Sequence, residues 1–140
     1  MQKEFITKSA NQTQALGRML ARELADGFTV CLDGELGAGK TTFTQGLLEG
    51  LGVEKPYTSP TFVIMKKYEN KIQNIYHIDA YRVGAEDILS LGWEEMTKDK
   101  NNIIIVEWAE RISDIIPDSA LRINFEWVDE NERKIVLKSK

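Results

Sequence analysis

The chain has 140 residues and a mass of 15.9 kDa, enough for one hydrophobic core and too short for two catalytic domains, so residues 1–140 read as a single domain. Hydrophobic residues at 42% and charged residues at 29% exclude the depleted, charge-rich composition of a disordered chain. With 18 Lys and Arg against 22 Asp and Glu, the net charge is −4, which excludes the basic balance of an autonomous nucleic-acid binder.

The single cysteine, Cys31, forms no internal disulfide and no cysteine-rich metal site. The longest apolar stretch, residues 103–106, is far short of the roughly 20 residues of a membrane helix. Residues 1–5 lack the apolar segment of a signal peptide. The expectation is a cytoplasmic protein without membrane contact.

In chain order, residues 5–7 read as a short strand. Leu16, Met19, Leu20, Glu23 and Leu24 recur at the spacing of an amphipathic helix. Phe28, Val30, Cys31 and Leu32 form an apolar run ending at Asp33-Gly34, the pattern of a strand buried on both faces of a parallel sheet. A second helix starts near Lys40 and buries Phe43, Leu47, Leu48 and Leu51. Residues 62–68 and 72–78 flank Glu69-Asn70-Lys71 as a hairpin. Residues 85–91 read as a helix with Glu86 and Asp87 in its first turn. Ile103-Ile104-Ile105-Val106 is the strongest buried-strand signal, and the alternation of Leu121, Ile123, Phe125, Trp127, Ile135 and Leu137 closes the chain as an antiparallel hairpin. The predicted fold is α/β, a mixed and mainly parallel sheet flanked by helices.

Between the strand ending at Gly34 and the helix starting at Lys40 lies Gly34-Glu35-Leu36-Gly37-Ala38-Gly39-Lys40-Thr41. It satisfies the G-x-x-x-x-G-K-[ST] pattern of a P-loop, or Walker A motif, in the strand-to-helix context that its mechanism requires. The glycines let successive N–H groups point inward at phosphates, and the helix N-terminus adds positive potential. Lys40 is placed to reach the β- and γ-phosphates, and the Thr41 hydroxyl to ligate Mg²⁺.

A metal and an attacking water call for carboxylates at the carboxyl ends of neighbouring strands, where ligands of open parallel sheets gather. Asp79 ends the run Ile75-Tyr76-His77-Ile78, and Glu107 ends residues 103–106. A solvated strand-end acid is the alternative for either. The hydroxyl-rich Thr58-Ser59-Pro60-Thr61 fits a switch that closes on a γ-phosphate, or a plain turn. His77 shares a strand face with Asp79 by period two and reads as a hydrogen-bonded structural residue. Cys31 reads as a small core residue, and Trp93, Trp108 and Trp127 as core or interface, with Trp108 beside the proposed site.

Gly34-Glu-Leu-Gly-Ala-Gly-Lys-Thr-Thr42, Ser59-Pro-Thr-Phe62, His77-Ile-Asp-Ala-Tyr-Arg82 and Val106-Glu-Trp108, in this order, resemble the TsaE (YjeE) family, small bacterial P-loop ATPases of the pathway that makes threonylcarbamoyladenosine in tRNA. The resemblance covers nearly the whole chain. It implies ATP and Mg²⁺ as cofactors, assembly with TsaB and TsaD, and tRNA reached only indirectly. It places ATP on Gly37, Ala38, Gly39, Lys40, Thr41 and Thr42, with Ser9 near the nucleotide base. Mg²⁺ falls to Thr41 and Glu107. Asp79 matches the acid of a second switch, residues 59–61 the first switch, and Lys40, Asp79 and Glu107 form the catalytic set.

Three other classes share the cradle, and one of them, a GTPase, needs a base-reading Asn-Lys-x-Asp element, whereas the one Asn-Lys pair, Asn70-Lys71, is followed by Ile72-Gln73. A small-molecule kinase needs an arginine-bearing lid, and only Arg111, Arg122 and Arg133 follow Glu107. A non-catalytic nucleotide sensor leaves the same sequence traces as a slow ATPase.

Overall fold

The computed structural model describes residues 2–24, 27–35, 37–55, 57 and 64–139. Seven strands form one sheet: β1 (Gln2–Thr7), β2 (Phe28–Gly34), β3 (Met65–Glu69), β4 (Asn74–Asp79), β5 (Asn102–Glu107), β6 (Leu121–Trp127) and β7 (Arg133–Lys138). Their order is β1-β7-β6-β2-β5-β4-β3. The four central strands, β6, β2, β5 and β4, run parallel. Antiparallel strands occupy both edges, β7 and β1 on one side and β3 on the other. Both predicted hairpins form, and β1, for which the sequence offered no pairing, adds to β7.

The helices are α1 (Ala10–Ala21), α2 (Lys40–Gly50), α3 (Ala85–Leu89) and α4 (Trp93–Lys98), with a 3-10 stretch over Ala109–Ile115. Ser9 caps α1 by accepting from Gln12 N at 3.1 Å. The helix therefore starts more than a turn before the apolar periodicity that predicts it. The short α4 and the 3-10 stretch escaped prediction because neither is long enough to show a helical period.

Alternation along the strands divides the core in two. Val30, Leu32, Ile103 and Ile105 face α1 and α2, with Leu16, Leu20, Phe43, Leu47 and Leu48 packed on them. Cys31, Ile104, Val106 and Ile78 face the other way, against Ile88, Trp93, Met96 and Ile112. Strand β5 is buried along its whole length, as expected of a central parallel strand covered on both sides. Cys31 is fully buried, and burial pushes its thiol up to about 12, which makes it an inert core residue.

The chain leaves β2 on the β5 side and later returns past β5 to place β6 on the other flank of β2. Strand order thus reverses at β2, and the loop after β2 opens at the crevice where open α/β sheets bind ligands.

Candidate functional site: a phosphate cradle facing two strand-end acids

The loop after β2 owes its shape to glycine. Gly34, Gly37 and Gly39 have φ of +141°, +78° and +105°, a region that residues with a Cβ rarely adopt. Between them the chain turns with Ala38 N donating to Glu35 O at 3.1 Å. Helix α2 then begins with Gly39 at its N-cap and no side chain capping it. The N–H groups of Lys40, Thr41 and Thr42 precede the first intrahelical partner and are free to meet an anion. Ala38 is buried behind the turn, whereas Gly37 and Thr41 are exposed.

Lys40 is buried at 6% exposure rather than lying in solvent as a surface cradle suggests. Its Nζ donates to Gly34 O at 2.5 Å and lies 3.5 Å from the centroid of the Trp108 ring. Burial lowers its pKa, opposed by the nearby carboxylates of Glu107, Glu110, Asp33 and Asp79. Trp108 itself has φ +59°, a conformation costing roughly 1–3 kcal/mol outside glycine. The turn is held by its backbone N donating to Leu32 O at 3.0 Å and by the Tyr81 ring at 4.9 Å.

Asp79 and Glu107 are register partners at the ends of β4 and β5, so the two acids predicted independently from sequence stand side by side. Asp79 is partly buried, and its Oδ1 accepts from Tyr81 N at 2.9 Å, fixing the turn that follows. Glu107 is buried, and its Oε2 meets His77 Nε2 at 2.8 Å. His77 is thus hydrogen-bonded, as expected. No group of three acids, histidines or cysteines able to hold a metal occurs among the described residues. That suits Mg²⁺, which takes one or two protein ligands and completes its shell with water and phosphate oxygens. Thr41, exposed in the first turn of α2, and Glu107 are the residues that could hold it, and the uncapped helix N-terminus fits a nucleotide's phosphates.

Ser9 sits one turn ahead of Thr13, whose methyl group lies 3.6 Å from where a Cβ on Gly39 would stand. The start of α1 therefore borders the cradle, and the Ser9 hydroxyl is engaged as the helix cap. The switch expected at residues 58–61 lies outside the described residues.

Three features went unseen in the sequence. Arg133 on β7 donates through Nε to Gly37 O at 3.2 Å, across 96 residues, so an arginine does adjoin the cradle. Asp33 accepts from Glu110 N at 3.1 Å and, with Glu110, lines a cleft of about 590 Å³ that also touches Gly34, Glu35, Trp108 and Asn124. Burial, followed by a hydrogen bond between the Asp33 and Glu110 side chains, pushes the Asp33 carboxyl up to about 7, against the lowering effect of the Glu110 N–H. The same side-chain hydrogen bond holds Glu110 below its ordinary range. Finally, Trp127 is 53% exposed, outside the core, and lies within 6.0 Å of the Arg133 guanidinium. The β6–β7 hairpin brings Arg133 to the loop after β2, and the 3-10 stretch after β5 brings Glu110 to Asp33, pairings that short-range patterns do not encode.

The family profile for threonylcarbamoyl adenosine biosynthesis protein TsaE matches residues 7–135. The chain belongs to the TsaE family. It is 37% identical over 134 residues to the tRNA threonylcarbamoyladenosine biosynthesis protein TsaE of Bacillus subtilis, covering 96% of this chain and 84% of that one. It is 33% identical over 133 residues to the TsaE protein of Treponema pallidum, covering 94% and 97%. The crystal structure of Bacillus subtilis YdiB superposes with a TM-score of 0.83 at 33% identity, covering 99% of this chain and 86% of that one. The sheet, its helices and the loop after β2 are those of a P-loop NTPase of the TsaE family. Among the described residues no helix is long and apolar enough to cross a membrane.

Proposed function

We propose that this TsaE-family chain is an ATP-binding, slowly hydrolysing, Mg²⁺-dependent ATPase that acts in the cytoplasm as a single domain on a complex of TsaB and TsaD, supporting the modification of tRNA without gripping tRNA itself. The observation that carries the reading is the glycine-built cradle, with buried Lys40, opposite the paired strand-end acids Asp79 and Glu107. The acidic net charge of −4 supports an indirect relation to tRNA.

In this reading the backbone N–H groups of residues 37–42 bind the phosphates, and Lys40 neutralises charge that develops on the transferred phosphoryl group. Thr41 and Glu107 hold Mg²⁺, which supplies electrostatic stabilisation to the β- and γ-phosphates. Asp79 orients the attacking water. Ser9, at the start of α1, lies near the nucleotide base. Phosphoryl transfer of this kind is slow until every charge is placed, and partner-completed sites gain about 10³ to 10⁵ in rate in GTPase examples.

The deciding experiment is a steady-state ATPase assay with TsaB and TsaD each absent and present, together with their affinity for this chain in ATP, ADP and no nucleotide. The reading expects slow turnover alone, stimulation by the pair and an affinity that depends on the nucleotide. Rapid turnover blind to both proteins would favour a self-sufficient small-molecule kinase. Tight ATP binding with no turnover under any condition would favour a nucleotide sensor.

A further inference from the structure

His77 reaches Glu107 from the adjacent strand, Nε2 to Oε2 at 2.8 Å, with both side chains less than a tenth exposed. The other ring nitrogen, Nδ1, is buried and has no hydrogen-bond partner among the described residues. A buried polar atom left unpaired is uncommon and asks for an explanation. Its strand neighbours in register are Ile105 and Lys66, and Ile75 on the same strand face belongs to the apolar core. A residue needed only to fill that space would be better apolar, and a histidine serving as a structural bridge would use both nitrogens. Among the described residues this one makes a single polar contact, to the carboxylate read above as the cation's protein ligand.

We propose that His77 is a positioning residue for Glu107. Its Nε2–H donates to Oε2 and fixes the carboxylate's rotation, so that Oε1 is the oxygen presented to the cation. Outer partners of metal-ligating groups act in this way, and losing one costs about 10- to 100-fold in metal affinity. The inference rests on the Mg²⁺–ATP reading of the cradle and adds to it a residue outside the P-loop and both acids.

The test is calorimetric titration of ATP into the full chain, in EDTA and across a series of Mg²⁺ concentrations, for the parent, His77→Phe and His77→Gln. A Gln amide nitrogen stands near the place of Nε2, whereas Phe offers no donor. The Mg²⁺ concentration that half-saturates the tightening of ATP binding should rise about tenfold or more in His77→Phe and return close to the parent in His77→Gln, with the affinity in EDTA the same in all three. In a Glu107→Gln background, His77→Phe should add nothing, since the effect runs through that carboxylate. Should His77→Phe not fold, His77→Asn, whose amide reaches only the Nδ1 position, replaces it. Parental Mg²⁺ dependence in His77→Phe, failure of His77→Gln to restore it, or an additive loss in the Glu107→Gln background would overturn the proposal while leaving the ATP reading intact. A parent that binds no ATP, or binds it without regard to Mg²⁺, would reject that reading and this proposal with it.

Discussion

The Lys40 ammonium is held between a backbone carbonyl and an aromatic face: Gly34 O at 2.5 Å and the Trp108 ring at 3.5 Å from its centroid. A cation over an aromatic ring gains about 0.5–2 kcal/mol, and a hydrogen bond to a charged phosphate oxygen roughly 1.5–3 kcal/mol. The ammonium carries three donors, so Nζ can take a phosphate oxygen while keeping Gly34 O, and Trp108 should register the change over its ring. With Trp93 and Trp127 replaced by Phe, ATP is expected to change the Trp108 emission. Lys40→Met, which keeps the stem and removes the charge, should abolish both the response and turnover while circular dichroism stays unchanged. An unaltered emission change in Lys40→Met would detach the ring from the lysine.

The paired acids should separate by experiment. Glu107→Ala strands the His77 ring without its one hydrogen-bond partner among the described residues, so it should lose about 1–3 kcal/mol of stability along with the Mg²⁺-dependent part of ATP binding. Asp79→Ala removes the acceptor for Tyr81 N, a loss of about 0.5–1.5 kcal/mol, and its main effect should fall on turnover. Urea melts and ATP titrations with and without Mg²⁺ measure both quantities. Equal effects of the two substitutions would argue against distinct roles.

Asp33 gives stability a pH dependence of definite sign. Its folded value of about 7 stands above the ordinary 3.8, so the native state keeps a proton that the unfolded chain gives up between those limits. Stability from this group is present at acid pH and falls as pH rises toward 7. Glu110, shifted downward, works in the opposite sense near its ordinary value of 4.5. Asp33→Asn, which carries no proton to lose, should gain in thermal midpoint relative to the parent as pH rises from about 4 to 7. A difference that does not vary with pH would contradict the assignment.

Helices α1 and α2 touch backbone to backbone. A Cβ on Gly46 would stand 2.0 Å from Gln14 O, and one on Gly17 would stand 2.3 Å from Phe43 O. Alanine gains about 1 kcal/mol over glycine inside a helix, but overpacking against an unyielding carbonyl costs about 1–3 kcal/mol, occasionally more. Gly46→Ala should therefore be destabilising on balance, by up to about 2 kcal/mol in urea unfolding. A neutral or stabilised Gly46→Ala would show that the helices can part.

The reach of the sequence follows the range of the interactions involved. The P-loop, the buried run at residues 102–107, the two hairpins and the acids at 79 and 107 are legible because each rests on composition within a few residues and on strand period. Adjacency of Asp79 and Glu107 was not legible, since it depends on β4 joining β5 in register. Arg133 at Gly37 and Glu110 at Asp33 span 96 and 77 residues. They are consequences of β7 and the 3-10 stretch closing over the end of β2, which no local pattern announces. Trp108 was placed near the site by its neighbour Glu107, but its left-handed turn, which puts the ring beneath Lys40, lies in backbone geometry rather than residue type.

The close approach of Gly17 and Gly46 also governs how the protein breathes. Helices in backbone contact at these glycines, and tied further by Arg18 to Glu49 at 3.5 Å and Gln14 to Gln45 at 3.3 Å, should open as one cooperative unit. Amides of α1 and α2 should accordingly exchange with solvent deuterium at a common free energy. The phosphate cradle, being the first turn of α2, inherits the lifetime of that unit. On the proposed reading, how long a nucleotide stays bound should then depend partly on the seam between α1 and α2, away from the chemistry itself.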